Sequence, residues 1–281
     1  MFSLQLKNKQ GDTLEFTQAN GFTIAEIQGL NPPSATINTS ALALIDGGKF
    51  NSSKVNMRTI ELAFYIELEA AKKRLEVYKV LKSKQYVEVH YKGDYRSVFI
   101  EGFISSINID YFAMKQLVTV SILCPSPYFK EAQYIVNELS SVVGAFTFPF
   151  AITTPVPLSY LDTVSSIEVD NKGDVETGLI IELYARGTVV NPKVFDYVTG
   201  EYIGINFTLE LGDLMTIDTR KGEKSITLLR DGVYTNKFNT IVKGSKWLQL
   251  AANGGVYTAE AEEGFTNLLV TLKHYDLYEG V

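Results

Sequence analysis

The 281-residue sequence has little of what catalysis or metal binding usually needs: one cysteine, Cys124, and two histidines, His90 and His274. A single cysteine cannot form an intrachain disulfide, so nothing indicates an oxidising compartment. The zinc spacings Cys-x-x-Cys and His-Glu-x-x-His are absent, as are a P-loop, a dinucleotide-binding glycine motif and a Gly-x-Ser-x-Gly elbow. We therefore expect no catalytic residue, no metal, no cofactor and no enzymatic activity. A noncontiguous carboxylate pair stays open, because 32 acidic residues always permit one.

Long apolar runs and a basic excess are also missing. The most apolar stretch, 141–158, contains three prolines and several Ser and Thr residues, which makes it a poor membrane span. The first residues lack a basic region followed by an apolar run, so no signal peptide is indicated. The net charge is −6; residues 1–145 hold 15 basic and 14 acidic side chains, and residues 146–281 hold 11 and 18. We expect neither membrane insertion nor sequence-specific nucleic-acid binding, and a protein that starts in the cytoplasm.

The sequence is rich in aromatics and turn residues, with 16 Tyr, 16 Phe and 21 Gly. Strand-like alternation is clearest at 59–66, where Ile60, Leu62, Phe64 and Ile66 share a face. One stretch, 67–84, has helical periodicity, with Ala71, Leu75, Tyr78 and Leu81 as its apolar stripe and Val77 beside it. From residue 165 onward, strand-like runs recur at the spacing of a β-sandwich. These patterns predict a mainly β protein with one helix.

The stretch 117–130, LVTVSILCPSPYFK, indicates where a first domain ends. Pro125 and Pro127 cannot donate ladder hydrogen bonds, so the strand must stop before them. Tyr128 and Phe129 are expected to pack as an apolar plug at this exit, followed by an irregular, Pro-rich stretch over 130–165. We predict an N-terminal domain at 1–130, a linker at 131–145 and an all-β C-terminal domain at 146–281.

Residues 33–66 are predicted to form a long two-stranded hairpin with its tip at 46–53. Strands of over ten residues exceed the usual length, and an isolated hairpin of that size is marginal unless something covers it. A second copy of the chain is an obvious cover. The interface residues that we expect on the second strand are Val55, Met57, Arg58, Ile60 and Leu62.

Trp247, the sole tryptophan, suggests an alternative interpretation of the function. An exposed Trp in a β-sandwich groove can stack on a sugar ring, which would make the chain a lectin-like carbohydrate-binding module without catalytic activity. Because Trp247 alternates with core-type leucines, a packing role is favoured over ligand contact.

The order of these features resembles the phage distal tail (Dit) proteins. The shared features are the early hairpin, the single helix, a strand ending in Cys-Pro-Ser-Pro-Tyr-Phe at 124–129, and, in the second half, the stretches 167–174, 217–219, 253–255 and 272–281. The resemblance implies a virion protein, assembled in the bacterial host cytoplasm, that forms a six-copy ring at the tail tip or baseplate. It implies a β-sandwich-like N-terminal ring domain whose hairpin is a belt onto the neighbour, and a galectin-like C-terminal β-sandwich. The implied partners are further copies of the chain, the major tail tube protein, tail-tip proteins, and receptor-binding or baseplate proteins.

Overall fold

The computed structural model describes residues 2–41, 46–144, 159–163 and 166–281. The chain divides into two compact units, unit 1 (Met1–Ala132 with Leu277–Val281) and unit 2 (Gln133–Asp276). Both consist mainly of β-strands, as the alternation predicts.

Unit 1 contains one α-helix and eleven strands among the described residues. The helix α1 is Ala70–Val80, and a short 3-10 helix lies at Gln18–Asn20. The strands, in chain order, are β1 Ser3–Asn8, β2 Thr13–Glu15, β3 Phe22–Gln28, β4 Ala35–Ala41, β5 Gly48–Val55, β6 Arg58–Ile66, β7 Tyr86–Lys92, β8 Ser97–Ile109, β9 Gln116–Cys124 and β10 Phe129–Glu131. The eleventh strand comes from the far end of the sequence and is named below with the strands of unit 2.

Nine of these strands form an antiparallel sheet: seven in the order β2-β1-β7-β8-β9-β6-β3, then β10, which pairs with β8, and the eleventh strand, which pairs with β10. The face of β6 that points into the core is the one predicted from alternation, and its fully buried side chains are Ile60, Leu62, Phe64 and Ile66. The Phe64 ring meets the rings of Phe16 and Phe22 edge to face, at 4.8 and 5.8 Å. Burial of each such side chain contributes about 1.5–3 kcal/mol, so β6 is a central element of unit 1.

The helix is shorter than the predicted 67–84, and a different face of it is buried. Glu69 has a left-handed φ of 44° and Leu81 is extended, which ends the helix on both sides. The side chains that α1 buries are Val77, which lies beside the predicted stripe, and Val80. Of the stripe itself, Leu81 is buried just after the helix, whereas Leu75 at its centre is 69% exposed. Two apolar stripes therefore run along α1, and the sheet covers only one of them.

Unit 2 contains sixteen described strands, and the chain then returns to unit 1 for its last one. They are β11 Ile135–Glu138, β12 Ser140–Gly144, β13 Ser159–Thr163, β14 Ile167–Val169, β15 Thr177–Gly178, β16 Ile180–Ala185, β17 Val189–Val190, β18 Lys193–Asp196, β19 Tyr202–Gly204, β20 Thr208–Leu209, β21 Leu214–Asp218, β22 Ser225–Arg230, β23 Val233–Asn236, β24 Gln249–Leu250, β25 Gly255–Glu260 and β26 Leu268–His274, followed by β27 Leu277–Tyr278 in unit 1. Short 3-10 helices lie at Phe238–Thr240 and Phe265–Asn267.

Two sheets of unit 2 share one apolar core. The larger has the order β11-β26-β16-β21-β22-β23 and the smaller the order β14-β25-β18-β19. The core takes Leu183 and Met215 from the larger sheet and Val194 and Tyr257 from the smaller. Two antiparallel sheets around one core are the arrangement of a β-sandwich, which the strand spacing after residue 165 predicts.

The observed division differs from the predicted domain limits at both ends of unit 2. The stretch 135–138, expected in a linker, is strand β11 and pairs with β26. Strands β10 to β13 likewise occupy most of the described part of the stretch 130–165 that was expected to be irregular; 145–158, 164 and 165 lie outside the described residues. Strand β27 pairs with β10, so 277–281 belong to unit 1 and not to the C-terminal domain. Pairing between residues so far apart in sequence leaves no local signal.

Candidate assembly interface

The hairpin formed by β4 and β5 is the part of unit 1 with the least internal support. Ala35 lies opposite Val55 and Ala41 opposite Gly48. Within the described residues, neither strand pairs with any other strand. Every residue of the two strands is exposed except Val55, which is half-buried. A two-stranded hairpin is marginally stable in water, and its open edges invite pairing, so these are the properties of a segment that another molecule covers.

The two faces of the hairpin differ in chemistry. Alternation and cross-strand register assign one face to Ala35, Ile37, Thr39, Ala41, Phe50, Ser53 and Val55, which we call the uncharged face. The opposite, polar face carries Thr36, Asn38, Ser40, Lys49, Asn51, Ser52 and Lys54. On the uncharged face, Ile37 is 63% exposed and Phe50 59% exposed. The hairpin therefore has one face that gains by leaving water.

A β-bulge sets this division. The register shifts between Asn38, opposite Ser52, and Thr39, opposite Phe50, so Asn51 has no cross-strand partner. Without the extra residue, Phe50 would point to the polar face, since a slip of one position reverses every side chain. The Asn51 side chain instead accepts a hydrogen bond from Ser40 Oγ, 3.3 Å away, and Asn38 Nδ2 donates to Ser52 Oγ at 3.0 Å. The bulge thus places Phe50 on the same face as Ile37.

Arg58 holds the base of the hairpin. Its guanidinium donates to the backbone carbonyl oxygens of Asn31 (2.7 Å), Pro127 (2.7 Å) and Glu279 (2.6 Å), and also to that of Gly29. The group lies over the Phe129 ring, 4.6 Å from its centroid. Burial lowers the Arg58 pKa, because the charged form loses water contact. One side chain therefore connects the segment before β4, the Pro-Ser-Pro exit of β9 and the segment 277–281.

Two backbone features allow this convergence. Gly29 has φ 87°, and a Cβ there would lie 2.3 Å from the Thr59 carbonyl oxygen, so only glycine permits the close approach. Val281 N–H donates to the Leu30 carbonyl oxygen at 3.3 Å, and Arg96 donates to the Gly280 carbonyl oxygen at 2.6 Å. The segment 277–281 is therefore part of the support of the hairpin, a role that sequence reasoning missed.

The five expected interface residues do not lie on one surface: three of them are buried and two are at or near the surface. Arg58, Ile60 and Leu62 are buried inside unit 1, so their side chains are not available to a second copy, which corrects the expectation. The reason is that β6 is a central strand of the sheet, and the hairpin ends before it. The predicted tip is also corrected, because 48–53 lie in β5 and the positions 42–45 lie outside the described residues. Val55 and Met57 remain at or near the surface.

A second exposed apolar surface of unit 1 lies on α1 and on the loop between β8 and β9. It consists of Leu75, Tyr78, Tyr111, Phe112 and Met114, which we call the helix–loop patch. The Tyr78 and Tyr111 hydroxyls are hydrogen-bonded to each other, and Arg74 lies over the Tyr111 ring, 5.4 Å from its centroid. Phe112 and Met114 are fully exposed. The helical stripe at Leu75 and Tyr78 was the signal for this patch, although the sequence indicated a core face.

Trp247 lies in unit 2, where it is half-buried and packs against the core. Its ring stacks on Phe238 at 5.5 Å, and Lys224 Nζ lies 5.4 Å from its centroid. Because one ring face meets Phe238, the contacts favour packing over sugar stacking.

Reactive groups are not brought together among the described residues. The Cys124 thiol is buried, and burial raises its pKa to about 12, which leaves it a poor nucleophile. His90 lies in unit 1, 2.7 Å from Glu88, and His274 lies buried in unit 2, 3.3 Å from Asp276. No group of three or more His, Cys, Asp or Glu side chains in the described ranges is placed to hold a metal ion. In the same ranges, no helix is long and apolar enough to cross a membrane.

Comparison with known proteins identifies what this arrangement is similar to. Residues 9–124 match the model of the family described as phage tail protein RIFT-related domain. None of the curated proteins matches the sequence. Among solved structures, SPP1 Dit (gp 19.1), described as a paradigm of the hub adsorption apparatus in Gram-positive-infecting phages, matches with a TM-score of 0.68 and 14% identity over 99% of each chain. A chain of the phage P2 baseplate in its activated conformation with Ca matches with a TM-score of 0.54 and 14% identity over 97% of this chain and 98% of that one. The same baseplate with Sr gives a TM-score of 0.52, with the same identity and coverage.

At this level of identity, the likeness establishes the fold. The tail-domain match covers almost all of the N-terminal part of unit 1, including the hairpin and Arg58. The resemblance to phage distal tail proteins that the sequence indicates is therefore confirmed.

Proposed function

We propose that this chain, which carries a phage tail domain and has the fold of a distal tail protein over its whole length, is a structural component of a phage or prophage tail tip or baseplate. Copies of it form a ring of six, in which the hairpin of each copy lies on its neighbour. The observation that carries the proposal is the isolated hairpin with an uncharged, exposed face. Such a face is a liability in a monomer and an interface in an assembly.

The base of the hairpin supports the same function. A flexible arm would lose conformational freedom on assembly, and that loss would weaken binding. The four carbonyl contacts of Arg58 and the closeness of Gly29 to Thr59 hold the hairpin base before any partner arrives. Preorganisation of this kind favours a permanent structural assembly. Val55 and Met57, at the end of the hairpin, are the remaining expected contact residues.

The ring connects the tail tube to the tail-tip and receptor-binding or baseplate proteins. This placement is supported by the similar structures, of which one is described as a hub adsorption apparatus and the other as a baseplate. The proposed location is the virion, after assembly in the bacterial host cytoplasm. The β-sandwich of unit 2, which we propose to be galectin-like, serves as an attachment platform at the periphery of the ring.

The proposed role is not enzymatic. It is supported by the buried thiol of Cys124 and by the separation of the two histidines into different units. The carbohydrate-binding alternative depends on Trp247, whose stacking on Phe238 supports packing instead.

Analytical ultracentrifugation of two proteins tests the proposal. The intact chain is expected to sediment as a ring of six, with a mass of about 188 kDa from six copies of 31.3 kDa. A variant in which a short Gly-Ser linker replaces 36–54 is expected to sediment as a folded monomer, because the described residues of the hairpin contribute no side chain to the core of unit 1. A variant that keeps the ring, or an intact chain that stays monomeric, would contradict the proposal.

A further inference from the structure

The helix–loop patch is an apolar surface that neither the fold nor the hairpin accounts for. Phe112 and Met114 are fully exposed, and Leu75 is 69% exposed. With aromatic side chains burying roughly 150–250 Å² each, the patch offers several hundred Å², close to the ~800 Å² that one partner contributes to a standard interface. A surface of that size on a soluble chain usually marks an interaction site.

The tyrosine hydroxyls of this patch and the guanidinium beside it have hydrogen-bond partners within unit 1. The Tyr78 and Tyr111 hydroxyls bond to each other, and Arg74 Nη1 donates to Gln116 Oε1 at 2.7 Å. Gln116 Nε2 in turn donates to the Tyr111 carbonyl oxygen at 3.1 Å. Covering the patch with an apolar partner would therefore leave few hydrogen-bonding groups buried without a partner. The free-energy cost of such unpaired groups is what usually opposes the burial of a mixed polar and apolar surface.

Another exposed apolar pair of unit 1 is less suitable for an uncharged partner. Phe103 and Leu123 lie opposite each other on β8 and β9, beside a row of carboxylates. The Tyr86 hydroxyl lies 2.9 Å from Glu101 and 3.2 Å from Glu88, and Lys130 pairs with Glu101 at 2.5 Å. An uncharged face laid over this row would desolvate charges without replacing their water.

We propose that the helix–loop patch receives the uncharged face of the hairpin from a second copy of this chain. This inference rests on the proposed ring. A closed ring of identical copies uses a head-to-tail contact, which requires two different, complementary surfaces on each copy. Among its described residues, unit 1 presents an uncharged projection, with Ile37 and Phe50, and the helix–loop patch, whose tyrosine hydroxyls are bonded to each other. The lysines of the hairpin, Lys49 and Lys54, lie on its other face and stay in water.

Cross-linking between variants that each carry one introduced cysteine tests the pairing. The natural Cys124 is buried with a raised pKa, so it gives little background reaction with maleimides. Phe50→Cys protein is mixed with Met114→Cys protein, the rings are allowed to exchange subunits, and a short bis-maleimide is added. A covalent dimer is expected from the mixture, with only a trace from either variant alone.

Two controls use the same reagent. Ser52→Cys, on the polar face of the hairpin, is expected to give little dimer with Met114→Cys. Tyr95→Cys, fully exposed in the turn between β7 and β8, is expected to give little dimer with Phe50→Cys. Rings that form without a Phe50–Met114 cross-link, or that link equally through Ser52 or Tyr95, would overturn the pairing while leaving the ring intact. A chain that stays monomeric would overturn the ring and the pairing together.

Polar substitution gives an independent readout. The double variant Phe112→Ser and Met114→Ser is expected to shift the sedimenting mass from ring to monomer without changing the melting temperature of the monomer. Tyr95→Ser, an equally exposed position, is expected to keep the ring. If the double variant assembles like the unaltered chain, the patch belongs to a different partner, and the inference is wrong.

Discussion

Replacing Arg58 with methionine removes the side chain that ties the hairpin base together. Methionine can keep the packing on Phe129, but the carbonyl oxygens of Gly29, Asn31, Pro127 and Glu279 lose their donor. A hydrogen bond to a charged group contributes about 1.5–3 kcal/mol. The four bonds share one side chain, and its burial costs free energy too, so they do not add. We expect a net loss of about 3–5 kcal/mol, the range for breaking a buried charged contact.

The loss is measured by thermal and urea unfolding of unit 1. At ~4 °C per kcal/mol, the value between those for domains of about 100 and about 150 residues, the Arg58→Met transition should fall by roughly 12–20 °C. Arg58→Lys should recover little of this, because an ammonium cannot reach four carbonyl oxygens as a planar guanidinium does. Lys54→Met, on the exposed polar face of the hairpin, is the control and should change stability by less than ~0.5 kcal/mol. An Arg58→Met protein as stable as this control would refute the assignment of Arg58 as a structural clamp.

Three further expectations concern unit 2. Burial lowers the pKa of His274 below its ordinary 6.5, so the unfolded state takes up a proton more readily than the folded state. Unit 2 should therefore keep its full stability above about pH 6.5 and lose part of it as the pH falls below that value. Urea unfolding on both sides of that pH should show a smaller loss of stability in His274→Gln than in the unaltered chain. The segment 133–276 expressed alone should melt cooperatively by circular dichroism, at a higher temperature than the segment 146–281, which lacks β11. Equal melting temperatures would argue against the observed boundary. Trp247 fluorescence should change with the unfolding of unit 2 and stay constant when saccharides are added, and a saturable change with a saccharide would favour the lectin alternative.

Local patterns predicted the features that are visible in a short stretch of sequence, such as alternation along a strand or a proline at its end. The alternation at 59–66 identified the buried face of β6, and Pro125 correctly predicted the end of β9 at Cys124. The predicted hairpin was too long because strand-like sequence continues from β5 into β6, and only the sheet shows that β6 pairs with β3 and β9.

Nonlocal contacts explain the rest of what the sequence could not predict. The helix has two apolar stripes, and the sheet happens to cover Val77 rather than Leu75, so periodicity alone selected the wrong face. Arg58 was expected at an interface, because it was assigned to the second strand of the predicted hairpin. Its carbonyl partners come from as far away as Glu279, which no local pattern announces.

Native mass spectrometry of the purified, intact chain is the most direct test of the central claim that this protein assembles through its hairpin. We predict a dominant species of about 188 kDa, six copies of 31.3 kDa, and its loss in the variant that replaces 36–54 with a linker. A dominant mass of 31.3 kDa, that of a single copy, would contradict the claim, and so would a ring that survives in the variant without the hairpin.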